Sequence, residues 1–141
     1  MRAVIDTNVA VSALINPLGT PGRIVGEWKR AVYDWVITPD TFAEMEGVLN
    51  RGRITRYLPK GSTRAERFLR RLSETAVTVR PAESLSVFPL DPADDRFIEA
   101  AVASNADFIV TGDLHLLELR EYEGTRIVSP IEFLAELQLM P

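Results

Sequence analysis

The chain is predicted to fold as an α/β domain with a mostly parallel sheet covered by helices on both faces. Three observations predict it. Short, continuously apolar runs alternate with longer helical segments along the whole length. Thr20-Pro21, Thr38-Pro39 and Asp91-Pro92 have the form of helix starts, with proline in the first turn. The size, 141 residues at 46% apolar and 26% charged content, suits one globular domain over 1–141. Repeats, low-complexity tracts and internal linkers are missing from the sequence.

Residues 2–5 (RAVI) read as a first buried strand, with Asp6 at its end, and 8–15 (NVAVSALI) as a helix stopping before Asn16-Pro17 and Gly19. A second helix runs from Thr20-Pro21 to about Arg30, followed by a strand at 34–37 (DWVI). Thr38-Pro39 opens a helix over about 39–50, which Arg51-Gly52 ends. A short helix near 53–58 stops at Pro59-Lys60-Gly61, and Ser62 or Thr63 caps another that reaches Glu74. Residues 76–80 (AVTVR) read as a strand cut by Pro81, and 82–90 as a loop. Asp91-Pro92 begins a helix to about Asn105, and 107–111 (DFIVT) is a strand. A short helix at 114–119, a fifth strand at 125–128 (TRIV) and a helix at 130–138 complete the chain.

Composition excludes several kinds of chemistry. Without cysteine there is no disulfide scaffold, thiolate metal site or cysteine nucleophile. The one histidine, His115, rules out a multi-histidine metal site and reads as a surface or short-helix residue. No run of about 18 apolar residues is present, and the start MRAVIDTNVA has no signal-peptide pattern. The expectation is an intracellular, cytoplasmic protein that does not engage a membrane.

The formal charge of −4 argues against a nucleic-acid partner until its distribution is considered. Residues 51–71 hold eight basic residues (Arg51, Arg53, Arg56, Lys60, Arg64, Arg67, Arg70 and Arg71) against the single acid Glu66. That segment carries +7 and the remainder −11. Arg64, Arg67 and Arg71 recur at i, i+3 and i+7, one stripe of a helix. Arginine suits bidentate phosphate contacts, although a solvated helix face gives the same pattern.

In a parallel sheet, ligands bind beyond the carboxyl ends of the strands, at the topological switch point. Asp6 and Asp113 lie there. Thr7 or Asn8 can cap the helix after Asp6, which leaves Asp6 to face the crevice. Glu44 flanks the apolar stripe Phe42, Met45, Val48 and Leu49, a position that suits a cleft or the solvent equally. In LDPADDRFIEAA, Asp91 reads as the cap and Asp94 as an acid at the third helical position. Asp95 precedes Ile98 and Val102 at i+3 and i+7, points to the packed side, and is favoured over Asp94 as a site residue. Asp113 either caps the helix LHLLEL or faces the crevice, and Thr111 can hydrogen-bond a neighbouring carboxylate or ligand.

If Asp6, Glu44, Asp95 and Asp113 converge, each pair of like charges at ~4 Å costs about 4 kcal/mol at an effective dielectric near 20. Such a cluster takes up protons or binds a divalent cation. All-oxygen ligation suits Mg²⁺ or Mn²⁺, which activate water and stabilise charge on a phosphodiester.

VIDTNV, AEMEGVLNR, DPADDRFIEAA and ADFIVTGDLHLL, in this order, resemble the PIN domain family of metal-dependent ribonucleases, and within it the VapC-like toxins of toxin–antitoxin modules. The resemblance implies a three-layer α/β/α sandwich with a five-stranded parallel sheet in the order 3-2-1-4-5. It implies Mg²⁺ or Mn²⁺ held by Asp6, Glu44, Asp95 and Asp113, with Asn8, Thr111 and Asp94 as supporting polar groups. It further implies RNA hydrolysis by a metal-bound water, with Arg51, Arg53, Arg56, Lys60, Arg64, Arg67 and Arg71 along the RNA backbone. The expected partners are RNA, a small antitoxin protein and a second copy of the chain. The TGD ending departs from the TxNxxDF-like form of many such toxins. The alternative is a catalytically weak or inactive PIN-like module that binds RNA or protein. Phospho-acceptor and dehalogenase-like domains are disfavoured because no lysine follows Lys60. Dinucleotide-binding and Walker-type loops lack their glycines.

Overall fold

Strands that are apolar at consecutive positions satisfy a sheet covered on both faces, because successive side chains point to opposite sides. In the computed structural model of the chain, which describes residues 1–87 and 91–140, the strands have this character. The elements are β1 (Arg2–Ile5), α1 (Thr7–Ile15), α2 (Thr20–Lys29), β2 (Asp34–Ile37), α3 (Pro39–Leu49), α4 (Gly52–Thr55) and α5 (Arg64–Thr75). They continue with β3 (Val77–Thr78), α6 (Pro92–Ser104), β4 (Phe108–Val110), α7 (Leu114–Leu119), β5 (Glu121–Tyr122), β6 (Thr125–Val128) and α8 (Pro130–Gln138). Along β1, Ala3 and Ile5 enter one core and Val4 the other. The first core lies under α1, α2, α3, α5 and α8, and the second under α6 and α7. The result is three layers.

The sheet runs β3-β2-β1-β4-β6-β5. Its first five strands are parallel and follow the expected order. The sixth strand corrects the five-stranded expectation. β5 pairs antiparallel with β6 through Tyr122–Thr125 and Glu121–Arg126. Glu123 and Gly124 turn the hairpin with φ of 46° and 87°, the left-handed pair that a two-residue hairpin turn requires. A two-residue strand has no alternation to detect, so the sequence held little sign of it. β3 is also shorter than 76–80, because it pairs with β2 only through Val77 and Thr78. The loop expected over 82–90 is irregular over 82–87, and residues 88–90 lie outside the described residues.

The helix starts are built as their sequences suggest. Thr38 and Thr41 form a reciprocal capping box on α3, and Asp91 Oδ1 accepts from the Asp94 amide at α6. At α5, Thr63 occupies the cap position without a side-chain bond, and Ser62 Oγ accepts from the Arg64 amide instead. No helix among the described residues is long and apolar enough to cross a membrane.

Two glycines have opposite roles. A Cβ on Gly22 would lie 2.1 Å from the Pro17 carbonyl oxygen, where the turn between α1 and α2 folds over the start of α2. A Cβ on Gly47, inside α3, would meet nothing within 4 Å. Gly22→Ala is therefore expected to destabilise the fold by about 1–3 kcal/mol through overpacking. Gly47→Ala should stabilise it by about 0.5–1 kcal/mol through helix propensity. Urea unfolding of the two variants beside the parent measures both signs.

Candidate active site

The strand order reverses between β1 and β4, and Asp6 and Asp113 follow the carboxyl ends of those two strands. Asp6 follows β1 and is 5% exposed. Its amide donates to Val110 O at 2.9 Å, which ties it to the end of β4. Its carboxylate serves two partners. Oδ1 accepts from the Asn8 amide at 3.1 Å and caps α1, and Oδ2 accepts from Thr111 Oγ1 at 2.7 Å. Asp6 is thus both the cap and the crevice residue, whereas the sequence reading assigned the cap to Thr7 or Asn8. Burial pushes its carboxyl above the ordinary range, and the charges of Asp113 and Asp91 add to that.

Thr111 is fully buried and relays the site from strand to turn, because its hydroxyl also accepts from the Asp113 amide at 3.0 Å. Asp113 caps α7, with Oδ1 accepting from the His115 and Leu116 amides at 2.8 and 3.3 Å. Its Oδ2 has no partner among the described residues.

Asp94, in the first turn of α6, stands in the same field. Burial raises its carboxyl to about 6, and the charges of Asp113, Asp91 and Asp6 push in the same direction. The exposed His115 is near enough to oppose that rise. Asp94 makes no side-chain hydrogen bond among the described residues. Asp95 is turned elsewhere, since its Oδ1 accepts from the Val87 amide at 2.9 Å, away from Asp6 and Asp113. The sequence reading favoured Asp95 over Asp94, and the structure engages Asp95 with backbone while the Asp94 carboxyl has no hydrogen bond among the described residues. The cause is the helical turn of ~100° between neighbours. The buried side to which Asp95 points is the flank against residues 85–87, and it is not the crevice.

Glu44 is exposed on α3, a helix that packs against both α1 and α6. Thr7 Oγ1 donates to Glu44 Oε2 at 2.9 Å, which ties Glu44 to the first turn of α1. The sequence reading missed this role of Thr7, and its signal was a second hydroxyl residue beside a carboxylate that already caps. Asn8 contributes its amide to Asp6, and its side chain is exposed.

Among the described residues, no three acidic or histidine side chains are gathered closely enough to hold a metal ion. No arginine or lysine pairs with Asp6, Asp94, Asp113 or Glu44 in the ion pairs of the described residues. The donor set is nonetheless that of a hard cation. It has carboxylate oxygens only, those of Asp6 and Asp94 on buried residues, and it carries mutual repulsion that a divalent ion would relieve.

The basic segment divides into two parts. Arg51, Arg53, Arg56 and Lys60 are exposed on and around α4, which packs on α3. Arg56 also lies over the Tyr57 ring, 5.0 Å from its centroid. The stripe on α5 is differently employed. Arg64 donates to Leu14 O at 2.7 Å and Arg71 to Lys29 O at 3.0 Å, so each satisfies a carbonyl near the end of a neighbouring helix. The sequence reading placed Arg64 and Arg71 along the RNA backbone, and in the structure both guanidinium groups hold carbonyls of the fold. Arg67 remains exposed. Together these arginines rim a groove of about 640 Å³ between α1, α2 and α5, floored by residues such as Leu14, Val25 and Phe68.

The PIN domain profile matches residues 2–115. The uncharacterized protein MJ1680 of Methanocaldococcus jannaschii is 30% identical over 147 aligned positions, covering 98% of this chain and 92% of that protein. The crystal structure of VapBC2 from Rickettsia felis, bound to a DNA fragment from its promoter, contains a chain of the same fold. Its TM-score is 0.58 at 16% identity, covering 92% of this chain and 98% of that one.

Asp94 gives a test of the electrostatics. A carboxyl raised from 3.8 to about 6 on folding binds more protons in the folded state than in the unfolded state. Its contribution therefore destabilises the metal-free protein as pH rises through that window. Asp94→Asn is expected to raise stability at pH 7 by about 1–2 kcal/mol and to flatten the dependence between about pH 4 and 6. Thermal unfolding across that range, in the presence of chelator, reads both effects.

Proposed function

The chain belongs to the PIN domain family, and from that membership we propose that it is a Mg²⁺- or Mn²⁺-dependent endoribonuclease, the toxin of a toxin–antitoxin module. The observation that carries the reading is Asp6. It is a buried carboxylate at the switch point, hydrogen-bonded through both oxygens and left without a cation in a field shared with Asp94 and Asp113. Asp6, Asp94, Asp113 and Glu44 would hold the ion, Asp94 taking the place first expected of Asp95. When bound, the ion supplies an activated water and stabilises charge on the phosphodiester.

The chain's own groups supply the rest. The Thr111 hydroxyl orients Asp6 Oδ2, and the Thr7 hydroxyl orients Glu44 Oε2. Asp113 Oδ1 is committed to the α7 amides, so its Oδ2 is the oxygen free to face a ligand. Arg51, Arg53, Arg56 and Lys60 offer exposed cations to the RNA backbone beside the helix that carries Glu44.

Purified protein with Mn²⁺ is expected to cleave RNA, and EDTA or Asp6→Asn should abolish cleavage. Thr111→Val keeps the shape and removes the donor to Asp6. It should cost roughly 10–100-fold in Mn²⁺ affinity, measured by calorimetry. The ungathered carboxylates support the alternative, a binding module with little or no turnover. That reading predicts RNA or partner binding that survives both EDTA and Asp6→Asn, with no cleavage by the parent.

For the antitoxin, the arginine-rimmed groove fits an acidic, amphipathic segment. Its floor is apolar and its rim carries Lys29, Arg64, Arg67, Arg70 and Arg71 against Glu74. Lys29→Glu with Arg70→Glu is expected to weaken the complex with a small antitoxin protein by roughly 10-fold or more. RNA cleavage in the absence of that protein should persist. Copurification and a cleavage assay together check this.

A further inference from the structure

Helix α6 carries more acid than the site uses. Asp95 and Glu99 are each 4% exposed and lie one turn apart on the same flank. Their carboxylates face a neighbouring piece of backbone. Asp95 Oδ1 accepts from the Val87 amide at 2.9 Å, and Glu99 Oε2 accepts from the Leu85 amide at 2.7 Å. The spacings agree. Four helical residues rise ~6 Å, and two residues of near-extended chain advance at most about 6.6 Å. Arg96 completes the clamp, with Nη2 pairing with Glu99 Oε2 at 2.7 Å and donating to Leu85 O at 3.2 Å. Both backbone groups of Leu85 are thereby held, and the Leu85 and Val87 side chains pack on the second core. Residues 85–87 are strapped to α6 by side chains that replace a strand partner.

Asp94 and Asp95 are ~100° apart around the helix, so the rotation of α6 decides which of them faces Asp6 and Asp113. We propose that Asp95 is a positioning residue for the carboxylate site. Its bond to the Val87 amide, supported by the Glu99–Arg96–Leu85 clamp, fixes the rotation of α6 that aims Asp94 into the site. The proposal rests on the reading of that site as one for a divalent cation. It makes the two adjacent aspartates chemically unlike. A ligand needs its negative charge, whereas a residue that holds an amide needs only an acceptor oxygen, which asparagine also supplies.

The experiment compares Asp95→Asn, Asp95→Ala and Asp94→Asn in the full chain, titrated with Mn²⁺ by calorimetry and followed by amide NMR. Asp95→Asn is expected to bind Mn²⁺ within about 3-fold of the parent, and Asp95→Ala to bind it roughly 10-fold more weakly. The Val87 amide should exchange faster in the alanine variant only. Asp94→Asn should lose roughly 10-fold or more in affinity while Val87 exchange stays at the parent rate. The proposal is overturned if Asp95→Asn loses Mn²⁺ as fully as Asp94→Asn, which would make Asp95 a ligand. It is also overturned if Asp95→Ala binds Mn²⁺ like the parent. A parent that binds no Mn²⁺ removes the cation reading, and the metal-free spectra then decide the positioning role. The Asp6, Thr111 and Asp113 amide shifts must move in Asp95→Ala and hold in Asp95→Asn, and any other pattern overturns the proposal.

Discussion

The structure depends on a carboxylate buried where two parallel strands end. Asp6 sits between the ends of β1 and β4, at the point where the connections diverge to opposite sides of the sheet. A buried carboxylate is costly unless its oxygens are satisfied. The chain satisfies them with groups that could hardly lie elsewhere. These are the amide of the second residue of the helix leaving β1 and the hydroxyl of the residue leaving β4. Hydrogen bonds settle the polar cost and leave the charge. That remaining charge, reinforced by Asp113, Asp91 and Asp94, makes this place chemically unlike the rest of the surface.

The fold was legible because its signals are local and repeated. A parallel sheet covered on both faces requires runs such as RAVI and DWVI, and proline after Thr38 or Asp91 marks where a helix begins. The hairpin strand β5 was not legible. Two residues cannot display a period, and the turn that builds it uses Glu123 at positive φ, where asparagine or glycine would have been the recognisable choice. The cap of α5 was left open between Ser62 and Thr63. A threonine stands at the cap position of α5, but the oxygen that reaches the amide belongs to Ser62.

The site was legible at its strand ends and ambiguous on its helices. Asp6, Thr111 and Asp113 follow strands, and in a parallel sheet that position alone places a residue at the ligand end. Asp94 and Asp95 are neighbours on a helix, and burial does not separate them, because both are buried. Pointing toward the packed side was correct for Asp95, yet that side holds backbone amides as well as a crevice. The difference lies in what waits there, and residues 85–87 have no pattern announcing that their amides need an acceptor. Glu44 shows the converse. It is exposed, and its link to the site runs through Thr7, which sequence reasoning had offered only as one of two possible caps.

A census of charge treats arginines as interchangeable cations, and the structure shows why this fails here. Arg64 and Arg71 belong to the same helical stripe as Arg67, but their guanidinium groups satisfy carbonyls at the ends of α1 and α2, and Arg71 also lies over the Trp28 ring. Such residues hold three helices together while still lending positive potential to the groove between them. The acids divide in the same way. Asp95 and Glu99 hold backbone, whereas the Asp94 carboxyl and Oδ2 of Asp113 hold no group among the described residues. Within each sign of charge, one set is spent on the fold and another is left unpaired. Asp94 and Asp113 lie in the field of Asp6 at the switch point of the sheet, whereas Arg51, Arg53 and Lys60 flank α4 and Arg67 lies on the rim of α5. The net value of −4 records neither separation. Chemistry at this surface follows from the unpaired sets, because only they can change partner without unfolding what they hold.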